Sequence, residues 1–281
     1  MRLGIFTTVF PRDTVEAAFD AIGSYGLTDT QFDLAAVAGR TLPDDIPDGV
    51  AARVRRAATD RGLRIAGIEG TFNMAHPDPA HRADGLRRFG VLAAACRDFG
   101  GDMLTLCTGT RDPDNMWRRH PDNTTPEAWR DMRGTVEAAL DLAAEHDLVL
   151  GVEPEISNVV SSPTLARRLL DEMDSPRLKI IFDGANLFDV TDPERRLDRA
   201  DDVFRNAADL LGPDIALAHA KDVNADGTFA AVAEGDLPWP DYVRTLRQAG
   251  FFGSLVMHGL AENQAGRATS VLRELLPDSG Q

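Results

Sequence analysis

The chain has 281 residues, of which 43% are hydrophobic and 27% charged, and its formal net charge is −15. This size and balance predict one globular domain over 1–281 with a core large enough to need no staple. The overall negative field, with no Lys/Arg run to offset it, argues against nucleic acid as a partner. The two cysteines, Cys96 and Cys107, have no metal-type or redox-type spacing and are expected to be buried thiols. No apolar stretch is long enough for a signal peptide or a membrane span, so the expected setting is a reducing cytoplasm.

In chain order, a short β-rich run, a turn and a helix-period segment recur. Strands are predicted at 3–8, 29–34, 64–70, 103–108, 149–153, 178–183, 215–219 and 254–258. Most are near-continuous apolar runs, the pattern of parallel strands buried on both faces. Helix starts lie between them. Asp13-Thr14-Val15-Glu16 fits a capping box followed by Val15, Phe19 and Ile22 at helical spacing. Leu86, Phe89, Ala93 and Cys96 form a stripe ended by Gly100-Gly101. Thr124-Thr125-Pro126-Glu127 opens a helix through Trp129, Met132, Val136 and Leu140, and Ser162-Pro163 opens another. The last two helices are expected at 240–249 and 266–276. The alternation predicts an α/β fold, a single (β/α)8 TIM barrel with parallel strands. No Gly-rich phosphate turn follows the first strand, which disfavours a doubly wound dinucleotide fold.

In such barrels the chemistry stands at the C-terminal ends of the strands. Strands 5 to 8 end in Glu153, Asp183, His219 and His258. Two carboxylates brought together there are costly without a cation, and with two imidazoles they suit a divalent metal. Mn²⁺, Mg²⁺, Co²⁺ and Zn²⁺ all remain open. His81 and His146 fall in helices and are expected at the surface, and Trp239 is expected to pack. Basic residues are nearly all Arg; only Lys179 and Lys221 are Lys. Lys221, two residues past His219, is therefore a candidate for a position that needs a compact ammonium. Asn73 and His76 after strand 3 are candidates to bind a hydroxylated substrate. The long loop after strand 4 supplies Arg111 for a carboxylate or phosphate and Trp117 for an apolar sugar face. Glu155 and Asn186 complete the substrate-binding candidates.

The stretches Gly151-Val152-Glu153-Pro154-Glu155, Phe182-Asp183-Gly184-Ala185-Asn186-Leu187, His219-Ala220-Lys221-Asp222 and Gly250–His258 resemble the xylose isomerase-like barrel superfamily, in particular its sugar phosphate isomerases/epimerases. The resemblance covers nearly the whole chain. It implies a metal held by Glu, Asp, His and Glu from strands 5 to 8, and the first three look like Glu153, Asp183 and His219. Two positions depart. His258 stands where those ketose epimerases have Glu, and Asn186 stands where they have His after the strand-6 Asp. Their two metal-bound glutamates also serve as the paired acid and base of epimerisation. Either His258 is unligated and carries protons here, or the reaction differs from 3-epimerisation.

The expected activity is divalent-metal-dependent isomerisation or epimerisation of a small keto-sugar or sugar-like polyol through an enediolate. Glu153 removes the α-proton, His258 or a water at the cation returns one, and Lys221 and Arg111 orient the substrate or offset charge. Three alternatives stand beside it: a lyase resembling inosose dehydratases, a phosphodiesterase resembling the endonuclease branch, and a non-catalytic sugar-binding protein. The acidic charge and few histidines count against the phosphodiesterase. The expected partner is a small-molecule substrate, with neither nucleic acid nor membrane; a homo-oligomer is possible.

Overall fold

The computed structural model describes residues 1–276. Eight parallel strands close a barrel: β1 (Arg2–Phe6), β2 (Asp29–Phe32), β3 (Arg64–Glu69), β4 (Met103–Cys107), β5 (Val149–Glu153), β6 (Leu178–Asp183), β7 (Ile215–Ala220) and β8 (Ser254–Met257). Each pairs with its neighbours in sequence, and β8 closes on β1 with Arg2 opposite Ser254 and Ile5 opposite Met257. The (β/α)8 TIM barrel expected from the alternation is the architecture found. Among the described residues, no helix is long and apolar enough to cross a membrane.

The helices begin where their caps dictate. Thr14 Oγ1 accepts from Ala17 N ahead of α1 (Val15–Ser24). After α2 (Ala35–Ala38), α3 (Val50–Asp60) and α4 (Pro79–Phe99), the cap of α5 (Pro126–Glu145) is Thr125. Ser162 Oγ accepts from Leu165 N ahead of α6 (Pro163–Met173). Gly100 ends α4 with φ 93°, a left-handed conformation that costs glycine little. Helix α3 has no side-chain cap, only Gly49 before it, which is why it left no start signal in the sequence.

Period-two alternation raises polar groups to one end of the barrel. Ala66, Met103, Ile181, Leu217 and Val256 form an apolar layer separate from the main core. On β6, β7 and β8 the residue two places past a member of this layer is Asp183, His219 or His258. On β5 the equivalent pair is Gly151 and Glu153. A Cβ on Gly151 would lie 3.0 Å from Ile181 Cγ1 and 3.2 Å from Met103 Sδ, so the glycine makes room for the plug. The opposite end is sealed by buried Asp29, which accepts from Arg2 Nε and Arg64 Nε at 3.2 and 3.1 Å.

Candidate metal and substrate site

Above the apolar layer, Glu153, Asp183, His219 and His258 each offer one ligand atom, and these atoms all lie within 4.8 Å of one another. Their positions follow from four adjacent strands ending at one level. His219 Nδ1 faces Glu153 Oε2 at 3.2 Å, and His258 Nε2 faces Asp183 Oδ2 at 3.0 Å. The two imidazole rings are 4.4 Å apart between centroids, with Phe6 beside both.

His219 shows how the site is prepared. Its Nε2 is 2.8 Å from Gln31 Oε1. The Gln31 amide nitrogen donates to Glu69 Oε2 at 2.9 Å and Thr105 Oγ1 at 2.8 Å, which turns Oε1 toward the ring. A neutral His219 therefore donates through Nε2–H and carries its lone pair on Nδ1. That Nδ1 is buried, and its contact with Glu153 is not aligned as a hydrogen bond, so the atom has no hydrogen-bond partner. A buried, unpartnered lone pair beside two carboxylates and a second imidazole is the donor set a divalent cation completes, and the residues fit that group.

Charge inside the cluster is balanced by Lys221. Its Nζ lies 3.3 Å from Asp183 Oδ2 and donates to Asn186 Oδ1 at 3.1 Å. Burial opposes ionisation of Asp183, but Lys221 and His258 outweigh it and hold the carboxyl well below the usual range. Burial also disfavours the Lys221 ammonium, yet Asp183, Glu153 and Glu155 together raise its pKa. For His258, burial and then the neighbouring His219 lower the pKa. Asn186 Nδ2 donates to Glu153 Oε1 at 2.6 Å, so Asn186 ties the lysine to the first carboxylate.

The cluster opens into a cavity of about 710 Å³ lined by Gln31, Glu69, Glu153, Glu155, Trp117 and Phe229, among others. Of the expected substrate contacts, Trp117 and Glu155 line it, and Asn186 stands behind Glu153. Burial raises Glu155 to about 7, against hydrogen bonds from Ser157 N and Asn158 Nδ2 at 2.9 and 3.1 Å. Asn73, His76 and Arg111 do not line the cavity, contrary to their expected place; each holds the loops together. Asn73 Oδ1 accepts from Thr110 N at 2.9 Å. His76 accepts from Asp78 N at 3.0 Å and stacks on His81 at 3.9 Å. Arg111 donates to Ala75 O and Asp131 Oδ2 at 3.1 and 3.0 Å. These contacts hold the three side chains against the loops rather than at the cavity wall.

Gln31, Glu69 and Thr105 also belong to the site, although the sequence did not single them out. Gln31 sits in the mostly polar β2 and Glu69 ends β3, and only Thr105 stands out as a polar group inside an apolar strand. Asp222, which follows Lys221, faces away from the cavity. It accepts from Val223 N, Ala233 N, Leu237 N and Trp239 Nε1 at 2.8–2.9 Å. It thereby fixes the hairpin of Asp222–Val223 with Phe229–Ala230 beside the site. Cys107 is a buried free thiol 3.8 Å from Glu153 Oε2, and burial pushes its pKa well up.

Fold and cluster together define a (β/α)8 barrel with a metal-type donor set at its C-terminal mouth. The profile of the xylose isomerase-like TIM barrel family matches residues 13–275, and the chain belongs to that family. No curated protein matches it. Among solved structures, an apo 3-keto-D-glucoside 4-epimerase from E. coli is similar over 98% of this chain and 99% of that one (20% identity, TM-score 0.72). A probable 3-DHS dehydratase involved in petrobactin synthesis, from Bacillus anthracis, is similar over 97% and 98% (14% identity, TM-score 0.73). A xylose isomerase-like TIM barrel/4-hydroxyphenylpyruvate dioxygenase fusion protein matches 98% of this chain at 15% identity (TM-score 0.74), but the chain spans only 42% of its length.

Proposed function

We propose that the protein is a divalent-metal-dependent isomerase or epimerase acting on a small keto-sugar or sugar-like polyol through an enediolate. The observation that carries this reading is the convergence of Glu153, Asp183, His219 and His258 on one point, with His219 Nδ1 buried and unpartnered. Those four residues would hold the ion. The chemistry a divalent ion supplies in such a donor set is Lewis acidity toward a carbonyl and its neighbouring hydroxyl.

The protein's own groups then divide the work. Glu153 takes the α-proton, with its Oε1 steadied by Asn186. Lys221, paired with Asp183 and Asn186, orients a substrate oxygen and offsets charge that develops there. His258 Nε2 faces Asp183 inside the ligand cluster, which supports a ligand role over that of a free proton carrier. With His258 so committed, a proton moved between adjacent carbons by one carboxylate is favoured over two-base inversion. Glu153 accepts the proton from one carbon and returns it to the next on the same face.

Incubating the protein and Mn²⁺ with ketoses in D₂O tests the reading. Exchange of the α-proton that is abolished in Glu153→Gln supports it, and absence of exchange from every ketose overturns it. The one-base arrangement also favours a second reading, β-elimination of a hydroxyl from the same enediolate, and the fold likeness to a dehydratase agrees with it. Elimination gives a dione-type product that absorbs in the ultraviolet, whereas isomerisation does not.

A further inference from the structure

The cavity wall is unbalanced in charge. Asp33, Glu69, Glu153 and Glu155 line it, and Lys221 is the one Lys or Arg among the described residues that does. Lys221 is already engaged by Asp183 and Asn186, and its Nζ sits 3.8 Å above the Phe229 ring. The arginines of the long loop are turned elsewhere. Arg111 binds Asp131, Arg118 binds Asp112 at 3.0 Å, and Arg119 binds Asp189 and Ile156 O at 2.5 and 2.9 Å. A divalent ion would bring two positive charges, which Glu153 and Asp183 already match. Protonating Glu69 and Glu155, as their burial favours, would remove negative charge but add no cation. A phosphate or carboxylate on the substrate would meet carboxylates with no unpaired cation to receive it, and a juxtaposition of like charges selects against such a ligand.

The remaining wall mixes uncharged polar groups such as Gln31, Thr71 and Ser157 with an apolar part that includes Phe6, Trp117 and Phe229. Trp117 and Phe229 are 53% and 44% exposed, so neither is held there by core packing. Exposed aromatic surface around a polar pocket marks a binding face.

Resting on the keto-sugar reading above and narrowing it, we propose that the substrate is an uncharged keto-sugar, free or as a neutral glycoside, and that the site rejects the phosphate esters and carboxylates of such sugars. The hydroxyls meet the carboxylate wall, and the C–H face of the sugar meets Trp117 and Phe229.

The test uses the full chain loaded with Mn²⁺ and three radiolabelled pairs: D-fructose and its 6-phosphate, D-xylulose and its 5-phosphate, and methyl 3-keto-D-glucoside and its 6-phosphate. Equilibrium dialysis gives the affinities, and α-proton exchange in D₂O is followed in parallel. The expected result is that at least one neutral sugar binds tenfold or more tightly than its phosphate. Trp117→Ala and Phe229→Ala should each weaken that binding severalfold while leaving the melting temperature unchanged. A phosphate that binds as tightly as its neutral partner overturns the inference, as does binding of no neutral sugar. Neutral binding without exchange upholds the inference and overturns the proton-transfer reading instead.

Discussion

Replacing Gln31 with methionine keeps the side chain's length and removes the amide that orients His219. In the native protein that amide accepts from His219 Nε2 at 2.8 Å and donates to Glu69 and Thr105 at 2.9 and 2.8 Å. Without it, Nε2–H has no acceptor, while a small rotation of the freed ring would align a proton on Nδ1 with Glu153 Oε2, which stands 3.2 Å away. The tautomer should therefore switch, and the lone pair should leave the metal cluster. Loss of such an outer partner typically costs 10–100-fold in metal affinity, or about 1.4–2.8 kcal/mol. Leaving the Glu69 carboxyl short of a donor should cost a further ~1–3 kcal/mol of stability. Co²⁺ titration measures the affinity well below the melting temperature. Nitrogen-15 shifts of the metal-free protein at alkaline pH report the tautomer. A variant that binds Co²⁺ within twofold of wild type and keeps Nε2–H would show that Gln31 does not set the His219 tautomer.

Further outcomes follow from other residues. Asp222→Ala removes four accepted hydrogen bonds from a buried carboxylate. It should cost about 3–5 kcal/mol and lower the melting temperature by on the order of 10 °C in a thermal scan. Because Glu155 titrates near 7 when folded, above its ordinary 4.5, its contribution is fully present below about pH 4.5 and is lost as pH rises toward 7. Glu155→Gln should thus stabilise the metal-free protein by up to about 3 kcal/mol at pH 8 and by little at pH 4.5, as read by denaturant unfolding at both pH values. Gly151→Ala places a Cβ against Ile181 and Met103 at 3.0 and 3.2 Å. Overpacking of this kind should cost roughly 1–3 kcal/mol in the same assay.

The barrel was readable because its strands are buried on both faces and so write themselves as apolar runs between turn residues. All eight strands fall within two residues of their expected bounds, including β2, whose Asp-Thr-Gln-Phe run is mostly polar. The four donors were readable for a related reason: a charged or imidazole group at the end of an apolar run has few structural uses. Asn73, His76 and Arg111 show the limit. A polar residue in a loop reads the same whether it faces a cavity or satisfies backbone groups; here Asn73 and Arg111 tie the loops after β3 and β4 to each other, and His76 binds the backbone of its own loop. Gln31 and Glu69 were hidden for the opposite reason. Their role depends on partners from other strands, and one strand's pattern does not reveal which side chains meet across the barrel. The Asp222 cluster likewise joins residues up to 17 apart around a hairpin, a contact no short motif encodes.

One cation is expected to bind where four strands converge. Metal analysis and Co²⁺ titration of the purified chain, compared with Asp183→Asn and His219→Ala, measure this most directly. Wild type should hold one tightly bound equivalent per chain, and both variants should lose it. An ion-free wild type that takes up no Co²⁺, or variants that bind it as the wild type does, would contradict this expectation.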